Sequence, residues 1–277
     1  DDTDRAIGFS VDHVVSRSVR DSAAMLDATG YPEAASPYAA PMKLGPYLAD
    51  VERGPGKLTI AWSAETPSGR PFDPEVHEAL LRTVEMLKAL GHTLVERNFG
   101  IDYRLFYRAQ GLVSAAHFAA GMKRRVERIG REPRDGEIGP LARRGYEAGK
   151  RVTGEQAFWG WQQLRIMSRQ ILAHFETADV YLCPVTGTPP PRVDHLDPLM
   201  SDLKEYDRRS SAAFPFTPLF NITGQPSLSL PLWQSKAELP IAMMFTGRYG
   251  DEGTLYRLAG QLEKECPWKD RKPPVWN

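Results

Sequence analysis

At 277 residues, 42 % hydrophobic and 25 % charged, the chain has the make-up of an ordinary globular protein, long enough to bury a sizeable core. Lys plus Arg and Asp plus Glu number 35 each, which argues against nucleic acid or an anionic membrane surface as partner while leaving room for a local basic patch. No apolar run approaches the roughly 18 residues of a membrane span, no signal-peptide pattern is present, and the two cysteines, Cys183 and Cys266, lack metal-ligand spacing. Together these features predict a cytoplasmic protein with free thiols, no metal and no cofactor.

The chain opens Asp1-Asp-Thr-Asp-Arg without Met and passes at once into apolar sequence, which reads as an internal start rather than a natural one. Ser18-Val-Arg-Asp21 fits a capping box, Val19, Ala23 and Leu26 follow at helical spacing, and Gly30 is placed to supply a left-handed cap. Residues 31–56 are rich in proline and read as a surface connection. Residues 57–62 read as a strand. Asp73-Pro74 then starts a helix, with the acid at the cap and proline at the first position, where its missing N–H costs nothing. Val76, Leu80, Val84 and Leu87 make its apolar stripe, Gly91 ends it, and residues 93–96 give a second strand. Strand, helix and strand over 57–97 predict a right-handed βαβ unit with parallel strands.

The middle of the chain is helical. One helix is predicted from 103 to 129, a second over roughly 140–150, and a third from the capping box Thr153-Gly-Glu-Gln156 to about Glu176. Asp179-Val-Tyr-Leu-Cys183-Pro184 reads as a strand, and 189–205 as an exposed excursion. Phe216-Thr-Pro-Leu-Phe-Asn221-Ile-Thr-Gly224-Gln-Pro226 is read as a loop entering a strand over 227–232. A second strand over 241–245 completes a hairpin, and Asp251 caps a last helix striped by Leu255, Leu258 and Leu262 before Pro267, Pro273 and Pro274. The elements predict an α/β fold, a mixed sheet flanked by helices, with a helix-rich middle segment.

Common catalytic signatures are absent: there is no G-x-S-x-G, P-loop, H-E-x-x-H or C-x-x-C. Ser201-Asp-Leu-Lys204 matches S-x-x-K but lacks the companion K-T-G and lies in a polar run. His117 and His174 sit in helical sequence, where a structural role outweighs a catalytic one. Cys183 has no neighbouring His to activate it, and Ser210-Ser211 lacks the glycines that would aim N–H groups at an oxyanion. The sequon at Asn221 carries no weight in a cytosolic protein, and Gly247-x-x-Gly250-x-x-Gly253 is too loose for a phosphate cradle. The residues alone define an α/β protein with a cleft and specify no reaction.

A resemblance adds the chemistry. Asn221-Ile-Thr-Gly224-Gln-Pro226-Ser-Leu-Ser-Leu-Pro231 resembles the Asn-Leu-x-Gly-x-Pro-Ala-x-Ser-x-Pro segment of amidase signature family hydrolases. Ser16-Arg-Ser-Val-Arg-Asp21-Ser-Ala is similar to that family's Ala-Arg-Thr-Val-x-Asp-x-Ala helix start, Asp179 to Pro184 to its Asp-x-x-x-x-Pro strand, and 216–263 to its closing segment. The C-terminal half looks most like the branch that includes 6-aminohexanoate cyclic dimer hydrolases. One departure is Met243-Met244, where many members carry Val-Gln. Residues 100–176 match no motif and are expected to form the variable, substrate-side region of a single domain spanning 1–277.

The resemblance implies amide hydrolysis by a serine, a cis-peptide serine and a lysine. The neutral lysine accepts a proton through the bridging serine, the second serine attacks the carbonyl, and a Gly-Gly-Ser-Ser loop holds the oxyanion. No Gly-Gly-Ser-Ser-Gly-Gly occurs in this sequence, so no position here receives a catalytic role. The expectation is therefore the C-terminal part of an amidase, inactive alone, which supplies the back of the sheet and much of the pocket. Its partners would be a small-molecule amide, the missing N-terminal half and, as a homodimer, a second copy. Gln110, Ser114, His117, Cys183, Thr186, Phe216, Asn221 and Thr223 are the pocket candidates, each with packing or local bonding as the alternative. Two other functions stay open: a non-catalytic amidase-like binding module, and an amidotransferase subunit passing ammonia to a partner enzyme.

Overall fold

The computed structural model describes residues 9–31, 41–42 and 45–273; the chain opening at Asp1, much of the connection over 31–56 and Pro274 lie outside them. The sheet begins with the βαβ unit. β1 (Thr59–Trp62) pairs in parallel with β2 (Thr93–Glu96), Thr59 opposite Thr93, across α3 (Pro74–Ala89). Asp73 accepts a hydrogen bond from the Glu75 N–H, and Val76, Leu80, Val84 and Leu87 are all buried. Gly91, at φ 92°, makes the left-handed turn into β2.

β3 (Val180–Pro184) lies on the other side of β1, parallel to it, and on its far edge runs antiparallel to β5 (Pro240–Gly247). All five β3 residues are buried, as a strand covered on both faces requires, so the run shows no polar alternation. β4 (Ser227–Gln234) closes the order β2-β1-β3-β5-β4, joined to β5 by the expected hairpin with an irregularity between Leu230 and Trp233. The sheet is therefore mixed, with β2 and β4 at its edges.

Backbone direction shows how much of the β4 edge stays open. Gly247 donates its N–H to the Pro226 carbonyl at 3.0 Å. Inward and outward residues alternate along an antiparallel strand, so Ser227, Ser229 and Pro231 turn their backbone groups away from β5. Pro231 has no N–H to offer, and its carbonyl accepts from Arg271 Nη1 at 2.8 Å. Among the described residues no strand pairs with the outward side of Ser227 and Ser229, away from β5.

Helices cover the faces. α1 (Val19–Thr29) and the short α2 (Tyr47–Val51) pack on α9 (Glu252–Glu265), while α4 (Tyr103–Ile129), α5 (Pro140–Arg151) and α6 (Gly154–Ala173) form a helical layer. Both limbs of the Thr153–Gln156 capping box are present. Small residues set the spacing: a Cβ on Gly149 of α5 would lie 2.0 Å from the Ala115 carbonyl oxygen, and one on Gly260 of α9 2.0 Å from that of Val51.

Several local expectations need correction. Gly30 sits at φ −84°, not in the left-handed region, and ends α1 by donating its N–H to the Leu26 carbonyl. The α-helical part of α6 stops at Ala173, and a turn of 3-10 helix carries the chain through Glu176. The excursion over 189–205 ends early in α7 (Leu203–Ala213), which Asp202 caps through the N–H groups of Lys204 and Glu205. The stretch read as loop contains α8 (Thr217–Thr223), with Pro218 in its first turn and Gly224 as a left-handed cap. Pro and Gly bracket a short helix there as readily as they punctuate a loop.

Gly260→Ala is expected to destabilise the fold by about 1–3 kcal/mol, because the new methyl must push α9 off the Val51 carbonyl. Urea unfolding checks this, and an unchanged midpoint would show that the two helices have room to part.

Candidate functional site

The chain leaves β1 through α3 toward β2 and returns on the opposite side of β1 at β3, which makes the carboxyl ends of β1 and β3 the switch point of the sheet. Crevices at such points bind ligands because adjacent loops diverge there. Gly187, just beyond β3, ties the surroundings together. Its N–H donates to the Ala213 carbonyl at 3.0 Å, and its own carbonyl accepts from the Asp73 N–H at 2.9 Å. A Cβ at 187 would meet the Ala212 carbonyl oxygen at 2.3 Å, so only glycine lets α7 approach the start of α3 this closely.

A groove of about 870 Å³ opens here, walled by Arg70 from the loop after β1, by Tyr107 and Gln110 of α4, and by Ser210, Ser211 and Phe214 at the end of α7. Arg70 Nη1 donates to Ser211 Oγ at 3.1 Å, and Ser211 Oγ in turn donates to the Arg208 carbonyl. Burial pushes the Tyr107 phenol above its ordinary value, and the nearby positive charge of Arg70 pulls it the other way. One helical turn earlier, the buried hydroxyl of Tyr103 has no hydrogen-bond partner among the described residues. Burial drives its pKa upward, reinforced by Tyr107, Tyr181 and Cys183, so this phenol stays protonated.

The charges around the groove are unevenly matched. Asp207 is held by both terminal nitrogens of Arg144, at 2.7 and 2.8 Å. Arg208 is held by both oxygens of Glu205, which also accepts from Arg209. Among the described residues, Arg70 and Lys204 form no ion pair.

The structure does not bring the eight pocket candidates into one cavity. Gln110 lines the groove. Ser114 is exposed one turn further along α4, and His117 is half-buried beyond it. Thr223 borders a separate space of about 180 Å³ together with Phe9, Trp161 and Ser168. Asn221 is exposed and donates from its side-chain amide to the Phe9 carbonyl at 2.8 Å. Thr186 donates its hydroxyl to the Thr188 carbonyl. Phe216 lies in the core, stacked on Phe72 with ring centroids 6.1 Å apart. Cys183 is fully buried in β3 and desolvation pushes its thiol well up, so it is no nucleophile in this fold. Met243 and Met244 are buried in β5 as packing residues.

Ser201 is exposed and away from the groove, whereas Lys204 lines it, so S-x-x-K does not act as a unit. His174 is held by a contact from its Nε2 to the Phe99 carbonyl and by an edge-on contact with the Phe99 ring, and desolvation lowers its pKa. Arg70 and Tyr107 were not legible as groove residues, because only the packing of the loop after β1 against α4 and α7 brings them together, and Tyr103, one turn before Tyr107 on α4, lies outside the groove lining. No group of three or more His, Cys, Asp or Glu among the described residues is placed to hold a metal, and no described helix is long and apolar enough to cross a membrane.

A second cavity, of about 500 Å³, borders the open β4 edge, between residues 227–231 and the extended stretch 13–18. Val14, Val19, Leu228, Leu230 and Trp268 make it largely apolar.

A family model described as Amidase matches residues 3–256, and the chain belongs to that family. It is 33 % identical over 270 residues to a Mycobacterium leprae (strain TN) protein named "Putative amidase AmiC", covering 95 % of this chain and 54 % of that protein. It is 27 % identical to the 6-aminohexanoate-cyclic-dimer hydrolase of Paenarthrobacter ureafaciens, covering all of this chain and 58 % of that enzyme. A solved structure of 6-aminohexanoate cyclic dimer hydrolase superposes with a TM-score of 0.85 at 28 % identity, over 95 % of this chain and 56 % of that one. The chain thus spans just over half the length of these relatives.

Hydrogen bonds from Arg208 and Arg209 pull the Glu205 carboxyl down to about 2. The folded value lies below the unfolded one, so the stabilisation is complete above about pH 4.5 and is lost as pH falls toward 2. Carbon-detected NMR titration of Glu205 should give a midpoint near 2, and a midpoint near 4.5 would mean that the arginines do not grip it.

Proposed function

We propose that the protein hydrolyses carbon–nitrogen amide bonds through a Ser, cis-Ser and Lys set carried by polypeptide outside residues 1–277, while this segment forms the substrate groove and the back of the sheet. The observation that carries the reading is the Amidase family match across residues 3–256 in a sequence without Gly-Gly-Ser-Ser-Gly-Gly. The open positions at Ser227 and Ser229 support it, since further polypeptide entering the cavity there would satisfy their backbone groups. The free thiols of Cys183 and Cys266 suit a reducing, cytoplasmic setting.

In this reading the groove orients a small-molecule amide. Tyr107 and Phe214 offer apolar walls, and the carboxamide of Gln110 both accepts from and donates to an amide. Tyr103 lies one turn before Tyr107 and outside the groove lining, and in this reading its buried, unpartnered hydroxyl donates to the substrate carbonyl once substrate has entered. The reacting serine attacks that carbonyl, the leaving amine takes the relayed proton, and water clears the acyl-enzyme. Such a division of labour leaves residues 1–277 without turnover on their own.

Two measurements test this. The full-length protein is expected to release aniline from simple anilides, and purified 1–277 to release none. Turnover by 1–277 that is abolished by a substitution within it would contradict the assignment. Tyr103→Phe in the full-length protein is expected to keep or raise the melting temperature, since it removes an unpaired buried hydroxyl, and to raise KM several-fold. An unchanged KM would deny Tyr103 contact with substrate.

A further inference from the structure

The groove carries charge that its own walls do not neutralise. Asp207 and Arg208 are already engaged by Arg144 and Glu205, which leaves the cations of Arg70 and Lys204 facing the space. Arg70 reaches across the groove from the loop after β1 to α7, and among the described residues its hydrogen bonding is the single contact from Nη1 to Ser211 Oγ. A guanidinium has five N–H donors arranged in a fork that matches a carboxylate, so one contact with a neutral hydroxyl leaves most of that capacity unused. Its charge also registers on Tyr107 on the opposite wall.

The apolar part of the groove is adjacent to this charge: Tyr107 and Phe214 flank it, and Gln110 stands one turn along α4. A ligand that fills the groove therefore meets aromatic walls and an amide partner, and then a cation. We infer that the groove selects amides whose acyl chain ends in a carboxylate, with Arg70 as the residue that recognises that terminus. The inference rests on the proposed amidase function and adds to it the chemical class of substrate. Arg70 is a specificity residue here and takes no part in bond cleavage.

The test compares glutaric acid monoanilide with valeranilide, which has the same acyl length and a methyl group in place of the carboxylate. Binding of each to the full-length protein is measured by calorimetry, and hydrolysis by aniline release, for wild type, Arg70→Gln and Arg70→Lys. Wild type is expected to prefer the carboxylate compound by about tenfold in Kd, as a charge-assisted hydrogen bond provides. The preference should shrink as salt is raised, fall to about one in Arg70→Gln and return in part in Arg70→Lys. Ser211→Ala, which removes the bond on Arg70 but leaves the guanidinium, should keep the preference. That result separates recognition from a mere tether between the loop and α7.

Equal binding of the two anilides by wild type overturns the inference, as does an undiminished preference in Arg70→Gln. If both anilides are hydrolysed at equal efficiency, the amidase reading stands and the carboxylate assignment fails. If the binding preference depends on Arg70 while neither compound is cleaved, the carboxylate site stands and the hydrolytic reading fails.

Discussion

The structure depends on β3 pairing on both of its edges. On one side it extends the parallel β1–β2 ladder, and on the other it accepts β5 antiparallel, so a strand of five residues joins the βαβ unit to the C-terminal hairpin. A strand in that position has no solvent face, and the run Val180, Tyr181, Leu182, Cys183 and Pro184 contains nothing that needs one. Its direction relative to β1 also creates the switch point. Had β3 run antiparallel to β1, Gly187 would lie at the opposite end of the sheet from the loop that carries Arg70. Gly187 then fixes α7 against the start of α3 by backbone bonds alone, which places Ser211 within reach of Arg70.

The two margins of the sheet are treated differently. β2 ends the parallel side with four residues, two of them exposed, which is short for a pairing template. β4 is longer, but Pro231 and the Arg271 side chain close one part of its edge, and the open part narrows to Ser227 and Ser229 above an apolar cavity. A narrow window beside a largely apolar space is a specific acceptor for one strand and a poor template for indiscriminate association. The relatives are nearly twice as long as the part of them that this chain matches.

Elements with a local signal were legible in the sequence. The Asp73-Pro74 start, the Thr153–Gln156 capping box and the period of α3 each follow from neighbours within a few residues, and the structure reproduces them. The family was legible for a related reason, since Asn221 to Pro231 and Asp179 to Pro184 are contiguous motifs. What stayed hidden depends on distance in sequence. Arg70 and Ser211 are 141 residues apart, and nothing near either announces the other. Phe216 and Cys183 looked accessible because each adjoins a proline-rich turn, yet β3 and α8 turn both into the core. α7 was missed because its polar sequence has the composition of a loop, and ion pairs such as Arg208–Glu205 support it instead of an apolar stripe.

The central claim is that substrate sits at the carboxyl ends of β1 and β3, and not in the cavity along β4. Photolabelling of the full-length protein with an azidoanilide, followed by peptide mapping, locates the bound amide directly. The account predicts label on peptides containing Tyr103, Tyr107 and Gln110 and on those containing Ser211 and Phe214. Label confined to residues 13–18 and 227–231 would place the ligand at the open sheet edge and contradict it.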